Sequence, residues 1–209
     1  MSENEPVVFI VDDDPDVRSL ITRLIQSVGL PVEAFASSQE FLSRAKPEEP
    51  ACIVLDIRLP GLSGLDLQER LVQSGIDVPV IFITGFGSVP QSVRAMKAGA
   101  VDFIEKPFEN QTLLDAVNRA LEKSRLALRR RSEMREIDER TKSLTPREYE
   151  VFVRIVSGLA NKQVADELSL SEKTVKIHRA NVMRKMQART FAELVHMAER
   201  LNLVSPSYN

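Results

Sequence analysis

The first half of the chain carries five short apolar runs, Val7–Val11, Pro31–Phe35, Ala51–Leu55, Val78–Ile83 and Val101–Ile104, with amphipathic stretches between them. A strand with one wet face alternates apolar and polar residues, whereas a strand covered on both faces need not. Most of these runs are continuously apolar and rich in Val, Ile and Phe, the pattern of parallel strands buried between two layers of helix. The intervening stretches supply the helices. The first has Asp14 placed as N-cap, Pro15 at the first helical position and Gly29 just past the end. Others are expected near 38–46, 64–74 and 88–98, and from about Asn110 onward. Five strands alternating with five helices make a doubly wound α/β sheet.

The rest of the chain follows another pattern. From Asn110 the helical period keeps apolar residues at Leu114, Val117, Leu121 and Leu128, then runs into LALRRRSEMREIDERTK, which is charged and nearly free of apolar side chains. This reads as a solvated helical linker over 122–142, frayed in its middle and too short and polar for a coiled coil. Thr145-Pro146-Arg147-Glu148 is then a capping box opening a helix to about Ser157, ended by Gly158. A short helix at about 162–168 follows, Ser171 caps a third at about 172–187, and Thr190-Phe191-Ala192-Glu193 is another capping box. The reading is a first domain over 1–121 and an all-α four-helix domain over 143–209.

Charge divides the chain the same way. Residues 1–120 carry 18 Asp/Glu against 10 Lys/Arg, and residues 121–209 carry 12 against 18. An acidic half joined to a basic half suggests two functions, the basic one facing nucleic acid. At 209 residues, 43% hydrophobic and 28% charged, the composition is that of an ordinary globular protein. The single cysteine, Cys52, excludes an intramolecular disulfide and points to a reducing compartment, most simply the cytoplasm. Two histidines and one cysteine are too few soft ligands for zinc. No apolar run approaches the roughly 18 residues of a spanning helix, so no membrane partner is expected, and the acidic start MSENEP does not read as a signal peptide.

Ligands of an open parallel sheet bind outside the carboxyl ends of its strands. Those ends carry Asp12 and Asp13 after the first run, Asp56 after the third, Thr84 after the fourth and Lys106 just past the fifth. Helix capping needs only Asp14, so it does not explain Asp12 and Asp13. Each residue alone reads most plainly as a surface charge or a loop hydroxyl; five at one end of a sheet do not. Converging carboxylates repel by a few kcal/mol per close pair at an effective dielectric of about 20. A hard divalent cation offsets that cost, and an oxygen-only shell suits Mg²⁺. A carboxylate held there can attack a phosphoryl group and become an aspartyl phosphate, with a lysine and a hydroxyl on the phosphoryl oxygens. Competing enzymes fit less well. A haloacid-dehalogenase-type phosphatase needs a second Asp two residues after its nucleophile, where this chain has Arg58. No G-x-G-x-x-G follows a strand, and no Ser sits in a G-x-S-x-G elbow.

At these positions the chain resembles a known family. Val11-Asp12-Asp13-Asp14, the run IVLDIRLPGLSG around Asp56, Thr84-Gly85 and Glu105-Lys106-Pro107-Phe108 are similar, in order and spacing, to the receiver domain of two-component response regulators, over residues 7–121. The resemblance implies a flavodoxin-like sheet in which Asp56 is the phosphoacceptor, taking a phosphoryl group from a phosphohistidine on a sensor histidine kinase. It implies Mg²⁺ held by Asp13, Asp56 and the backbone carbonyl of Arg58, with Asp12 acting through water. It implies phosphoryl contacts from Thr84 and Lys106, an aromatic switch at Phe103 that follows Thr84, and a cis peptide at Lys106-Pro107. Many relatives carry a hydroxylated ring at Phe103, so any role of that hydroxyl is absent here. The stretch TGFGSVPQSVRAMKAGAVDFIEKPFE resembles the FixJ-type subgroup.

The third helix of the second domain is the basic one. Between Ser171 and Arg189 there are six basic residues, Lys173, Lys176, Arg179, Arg184, Lys185 and Arg189, and one acid, Glu172. On a helical projection Val175, His178, Val182 and Met186 share one face, the core stripe. The opposite face carries Lys173, Lys176, Ile177, Ala180, Asn181 and Arg184. A solvated face rarely sets Ile beside Ala, whereas a major-groove face can use both against thymine methyls. Arg179 and Lys185 fall toward the rim. Met183, Met186 and Met197 read as core or interface, and His178 as packed or phosphate-facing rather than a metal ligand.

LTPREYEVFVRIVSGLANKQVADELSLSEKTVKIHRANVMRKM resembles the LuxR-type helix-turn-helix of the NarL/FixJ response regulators, over residues 143–203. The resemblance implies that the third helix enters the major groove and that the last helix supports dimerisation. DNA contacts are expected from Lys173, Thr174, Lys176, Ile177, His178, Arg179, Ala180, Asn181, Arg184 and Lys185. The whole chain thus reads as a transcriptional regulator that is phosphorylated on Asp56, dimerises, and binds promoter DNA, with RNA polymerase a further partner and activation the expected sense. It reads as a self-phosphorylating and autodephosphorylating receiver rather than a turnover enzyme. An independent Mg²⁺ phosphohydrolase is the rival from the enzyme class. A third reading is an RNA-binding or purely protein-interaction output; no exposed aromatic side chain for base stacking is expected in the second domain, which argues against single-strand recognition.

Overall fold

The structure, a computed structural model, describes residues 5–44, 47–85 and 89–204. The chain divides between Leu128 and Arg129 into two units.

In the first unit the strands are β1 (Val7–Val11), β2 (Val32–Phe35), β3 (Ala51–Asp56), β4 (Val80–Thr84) and β5 (Asp102–Glu105). All pair in parallel, in the order β2-β1-β3-β4-β5. β2, β4 and β5 start later than the apolar runs suggest, the first two for one reason. Pro31 and Pro79 have no N–H to donate, so each stands just outside its strand and offers only a carbonyl, to Val8 and Ile53 respectively, at 2.9 Å. The helices are α1 (Pro15–Ser27), α2 (Ser38–Leu42), α3 (Gly64–Gln73), α4 (Val89–Lys97) and the start of α5 (Asn110–Lys142). α2 is shorter than its pattern; of the expected stretch, residues 45 and 46 lie outside the described residues, as do residues 86–88 before α4. Asp14 caps α1, its Oδ1 accepting from the N–H groups of Asp16 and Val17.

The period-2 geometry of strands sorts the core onto two faces. Phe9, Val11, Ile53, Leu55 and Phe82 pack with Phe41 of α2, Leu67 and Leu71 of α3 and Ala95 of α4. Val8, Ile10, Cys52, Val54, Ile81 and Ile83 pack with Ile21 and Ile25 of α1 and with Leu113, Val117 and Leu121 of α5. Helices therefore cover both faces, as the unbroken runs require. The winding reverses between β1 and β3, which sets the ligand crevice beyond the carboxyl ends of those two neighbours.

The segment 122–142 is not frayed. It continues α5 without a break to Lys142, supported by the ion pairs Glu122–Arg125, Glu136–Arg140 and Asp138–Lys142 at the i,i+3 and i,i+4 spacings that bring side chains together on a helix. Nor is it wholly solvated. Ser124 is buried in the first unit, its Oγ accepting from the Ala51 N–H at 3.0 Å, and Ile137 is buried in the core of the second.

The second unit adds α6 (Pro146–Val156), α7 (Asn161–Leu168), α8 (Glu172–Lys185) and α9 (Phe191–Arg200). Val151, Phe152, Ile155, Val164, Leu168, Val175, Val182, Met186, Leu194 and Ala198 form its core with Ile137. The Thr145 capping box is complete, with bonds in both directions to Glu148. The second is half formed: Thr190 caps Glu193, but the Glu193 carboxylate accepts from the Arg189 N–H instead of the Thr190 N–H. α8 stops before the expected 187 because Gln187 takes a left-handed conformation, φ 57°. Among the described residues no helix is long and apolar enough to cross a membrane.

Candidate functional site

Registers Val11↔Leu55 and Asp56↔Ile83 bring the ends of β1, β3 and β4 side by side. Three carboxylates meet there, Asp12 and Asp13 after β1 and Asp56 at the end of β3: one oxygen from each lies within 4.8 Å of the others. At that separation a pair of charges repels by about 3 kcal/mol at an effective dielectric of 20. Asp12 and Asp56 are buried and Asp13 is exposed. Lys106, just past β5, answers two of them, with Nζ 2.7 Å from Asp12 Oδ2 and 3.1 Å from Asp56 Oδ2. One lysine against three carboxylates leaves an excess of negative charge on oxygen donors alone. That donor set fits a hard divalent cation.

Burial dominates the titration of Asp12 and raises its pKa above the ordinary aspartate value, against the opposing hydrogen bonds from Lys106 and the Asp14 N–H. For Lys106 burial acts to lower the pKa, but the hydrogen bonds and charges of Asp12 and Asp56 outweigh it and raise it. The ammonium is held charged beside the crevice. Asp56 Oδ1 accepts from the Arg58 N–H at 3.1 Å. Thr84 is buried at the end of β4, and its carbonyl accepts from the Lys106 N–H at 2.7 Å. The Lys106–Pro107 peptide is cis. Phe103 is half-buried against the α2–α4 side of the core.

In the second unit α8 turns Val175, Val182 and Met186 inward, while His178 is half-buried with Nδ1 lacking a hydrogen-bond partner among the described residues. Lys173, Lys176, Ile177, Ala180 and Arg184 are exposed, and Thr174 and Asn181 half-buried. Ile177 keeps 55% of its surface in water, a poor place for an isoleucine with no partner. Lys185 is not on this face. Its Nζ lies 2.6 Å from buried Glu148 Oε2 and 3.0 Å from the Ser143 carbonyl, so a residue expected among the DNA contacts is engaged within the domain. Burial alone would raise the Glu148 pKa, but the Lys185 and Thr145 hydrogen bonds outweigh it and lower it.

Comparison with known proteins agrees with this geometry. Residues 8–118 match the response regulator receiver domain and residues 142–198 the luxR family of bacterial regulatory proteins. The nodulation protein W of Bradyrhizobium diazoefficiens is 48% identical over 202 residues, covering 97% of this chain and 89% of that one. The transcriptional regulatory protein FixJ of Azorhizobium caulinodans is 43% identical over 198 residues, 95% and 93% of the two chains. The chain belongs to the FixJ-type two-component response regulators. The solved structure of the response regulator StyR is 44% identical and superposes with a TM-score of 0.84, covering 94% of this chain and 99% of that one. As a member of the family, this response regulator is a phosphorylation-dependent regulator of transcription, with a histidine kinase upstream and DNA downstream.

Several supporting residues were not read from the sequence. Gly64 opens α3 so close to β3 that a Cβ there would come within 2.2 Å of the Asp56 carbonyl oxygen; the glycine directly after the capping Ser63 was the available signal. Arg18 reaches back from α1 to donate to the Asp12 carbonyl at 2.7 Å. The expectation of no exposed aromatics in the second unit is overturned: Tyr149 and Phe191 are both exposed, at 39% and 37%. Tyr149 lies in the first turns of α6 and Phe191 opens α9.

Proposed function

We propose that Asp56 is the phosphoacceptor. An Asp56 carboxylate oxygen forms the new O–P bond as the P–N bond to a kinase histidine breaks, the electron pair leaving with the imidazole nitrogen. The observation that carries this reading is the single ammonium of Lys106 within hydrogen-bond reach of both Asp12 and Asp56. Lys106 and Thr84 then bind the phosphoryl oxygens. Asp13, Asp56 and the Arg58 carbonyl would hold Mg²⁺, with Asp12 acting through water; when bound, the ion supplies charge neutralisation for the transferring group. The chain is a receiver that phosphorylates and slowly dephosphorylates itself, not a turnover enzyme, and it works in the cytoplasm.

Phosphorylation draws Thr84 inward and lets Phe103 follow, changing the surface of α4, β5 and α5. Val89, Val93 and Met96 are exposed along α4, which supports dimerisation through that surface. The dimer sets two copies of α8 in successive major grooves, about 34 Å apart, and activates transcription with RNA polymerase as partner. The test is labelling with radioactive acetyl phosphate in Mg²⁺. Wild type takes up one phosphoryl group and Asp56→Asn none, since an amide is a poor nucleophile. Full labelling of Asp56→Asn removes the assignment, and continuous turnover of an added phosphoester favours a phosphohydrolase.

A further inference from the structure

Arg179 is held unlike the other cations of α8. Its Cζ lies 4.7 Å from the centroid of the Phe191 ring, and its Nη1 donates to Asn161 Oδ1 at 3.3 Å. Asn161 is the first residue of α7 and Phe191 the first of α9, so three helices meet on one guanidinium. Arg140, Arg147, Arg154 and Arg200 of the same unit each pair with a glutamate. Arg179 has no ion-pair partner among the described residues, and of the five N–H donors of a guanidinium only one is used.

Phe191 needs an explanation of its own. It is 37% exposed and lies outside the buried core cluster, so core packing does not account for a phenylalanine at this position. Its ring lies against the Arg179 guanidinium. A ring against one face fixes the already planar guanidinium and partly dehydrates it, which lowers the ordering cost of meeting an anion. No carboxylate among the described residues of the unit pairs with it. Lys176 and Ala180, neighbours of Arg179 on α8, are exposed on the face read above as the DNA surface, so the anion at hand is a backbone phosphate.

We propose that Phe191 and Asn161 are positioning residues that hold Arg179 as a ready-made clamp for one phosphate of duplex DNA. The inference rests on the DNA reading of α8 and deepens it. A phosphate contact carries no sequence information, so the test needs no operator. The full chain, with beryllofluoride and Mg²⁺, is titrated against a labelled duplex of about 30 base pairs of mixed sequence, from about 50 to 200 mM salt. Arg179→Ala is expected to weaken binding roughly five- to twenty-fold and to reduce the salt slope by about 1. Phe191→Leu is expected to weaken binding roughly two- to five-fold, to have no further effect in the Arg179→Ala background, and to be rescued by Phe191→Tyr, which restores the ring face. Equal loss from Phe191→Leu in both backgrounds, or no loss in a variant with unchanged Tm, overturns the clamp while the DNA reading stands. A wild-type chain that binds no duplex overturns the DNA reading and the clamp with it.

Discussion

Asp12, Asp13 and Asp14 are chemically identical neighbours with three separate placements. Asp12 is buried and tied to Lys106, Asp13 is exposed within reach of the same cluster, and Asp14 caps α1. The sequence made this division legible because a helix start needs only one cap, and strand order then put the other two beside Asp56. What was not legible at this scale was close approach. Nothing in a hydropathy pattern says that α3 starts in van der Waals contact with the Asp56 carbonyl, and only the backbone shows that Gly64 makes this possible. Gly64→Ala is therefore expected to destabilise the receiver by about 1–3 kcal/mol and to slow phosphorylation of Asp56. Denaturant melts check the first part and labelling rates the second; an unchanged midpoint would mean that α3 shifts freely.

The elements of the second unit were placed from caps and period, and α8 fell where its charge and core stripe said it would. Two features escaped, the first because it depends on side chains far apart in sequence. One is the pair Lys185–Glu148, which fastens the end of α8 to the start of α6. The folded pKa of Glu148 lies below the ordinary 4.5. The pair's stabilisation is therefore complete above pH 4.5 and is lost as pH falls through the folded value. Lys185→Ala leaves a buried carboxylate without its cation and is expected to cost about 2–4 kcal/mol at neutral pH. Glu148→Gln should flatten the acid limb of the stability curve; thermal melts from pH 3 to pH 7 check both, and a Glu148→Gln curve parallel to wild type would contradict the linkage. The other feature is the continuity of α5, where i,i+3 and i,i+4 ion pairs hold a stretch whose lack of apolar residues read as fraying. On the outer face of α8, Lys176→Ala or replacement of Ile177 is expected to cost about 1–3 kcal/mol on the true site and less on a scrambled duplex. Equal losses on both would deny α8 a base-reading face.

For the whole molecule, the acidic and basic halves correspond to a receiver and a DNA-binding unit, and the division was visible in charge alone. The boundary was not, because Ile137 is, with Met134, one of two apolar residues in the charged run from Arg129 to Lys142, and no periodicity announces its burial in the second core. A clean switch from 1:99 to 99:1 requires phosphorylation to favour the active state by about 5.5 kcal/mol. Dimerisation is the proposed source, and release of a masked reading face is its rival. Sedimentation of the full chain at micromolar concentration is expected to show a dimer with beryllofluoride and Mg²⁺ and a monomer without; a monomer in both would leave unmasking as the switch. A phosphoryl group on Asp56 is expected to control occupancy of DNA, which footprinting on the chain's own genomic DNA reads out. With acetyl phosphate and Mg²⁺, wild type is expected to protect discrete sites that Asp56→Asn leaves open. Equal protection by Asp56→Asn under the same conditions would contradict the account.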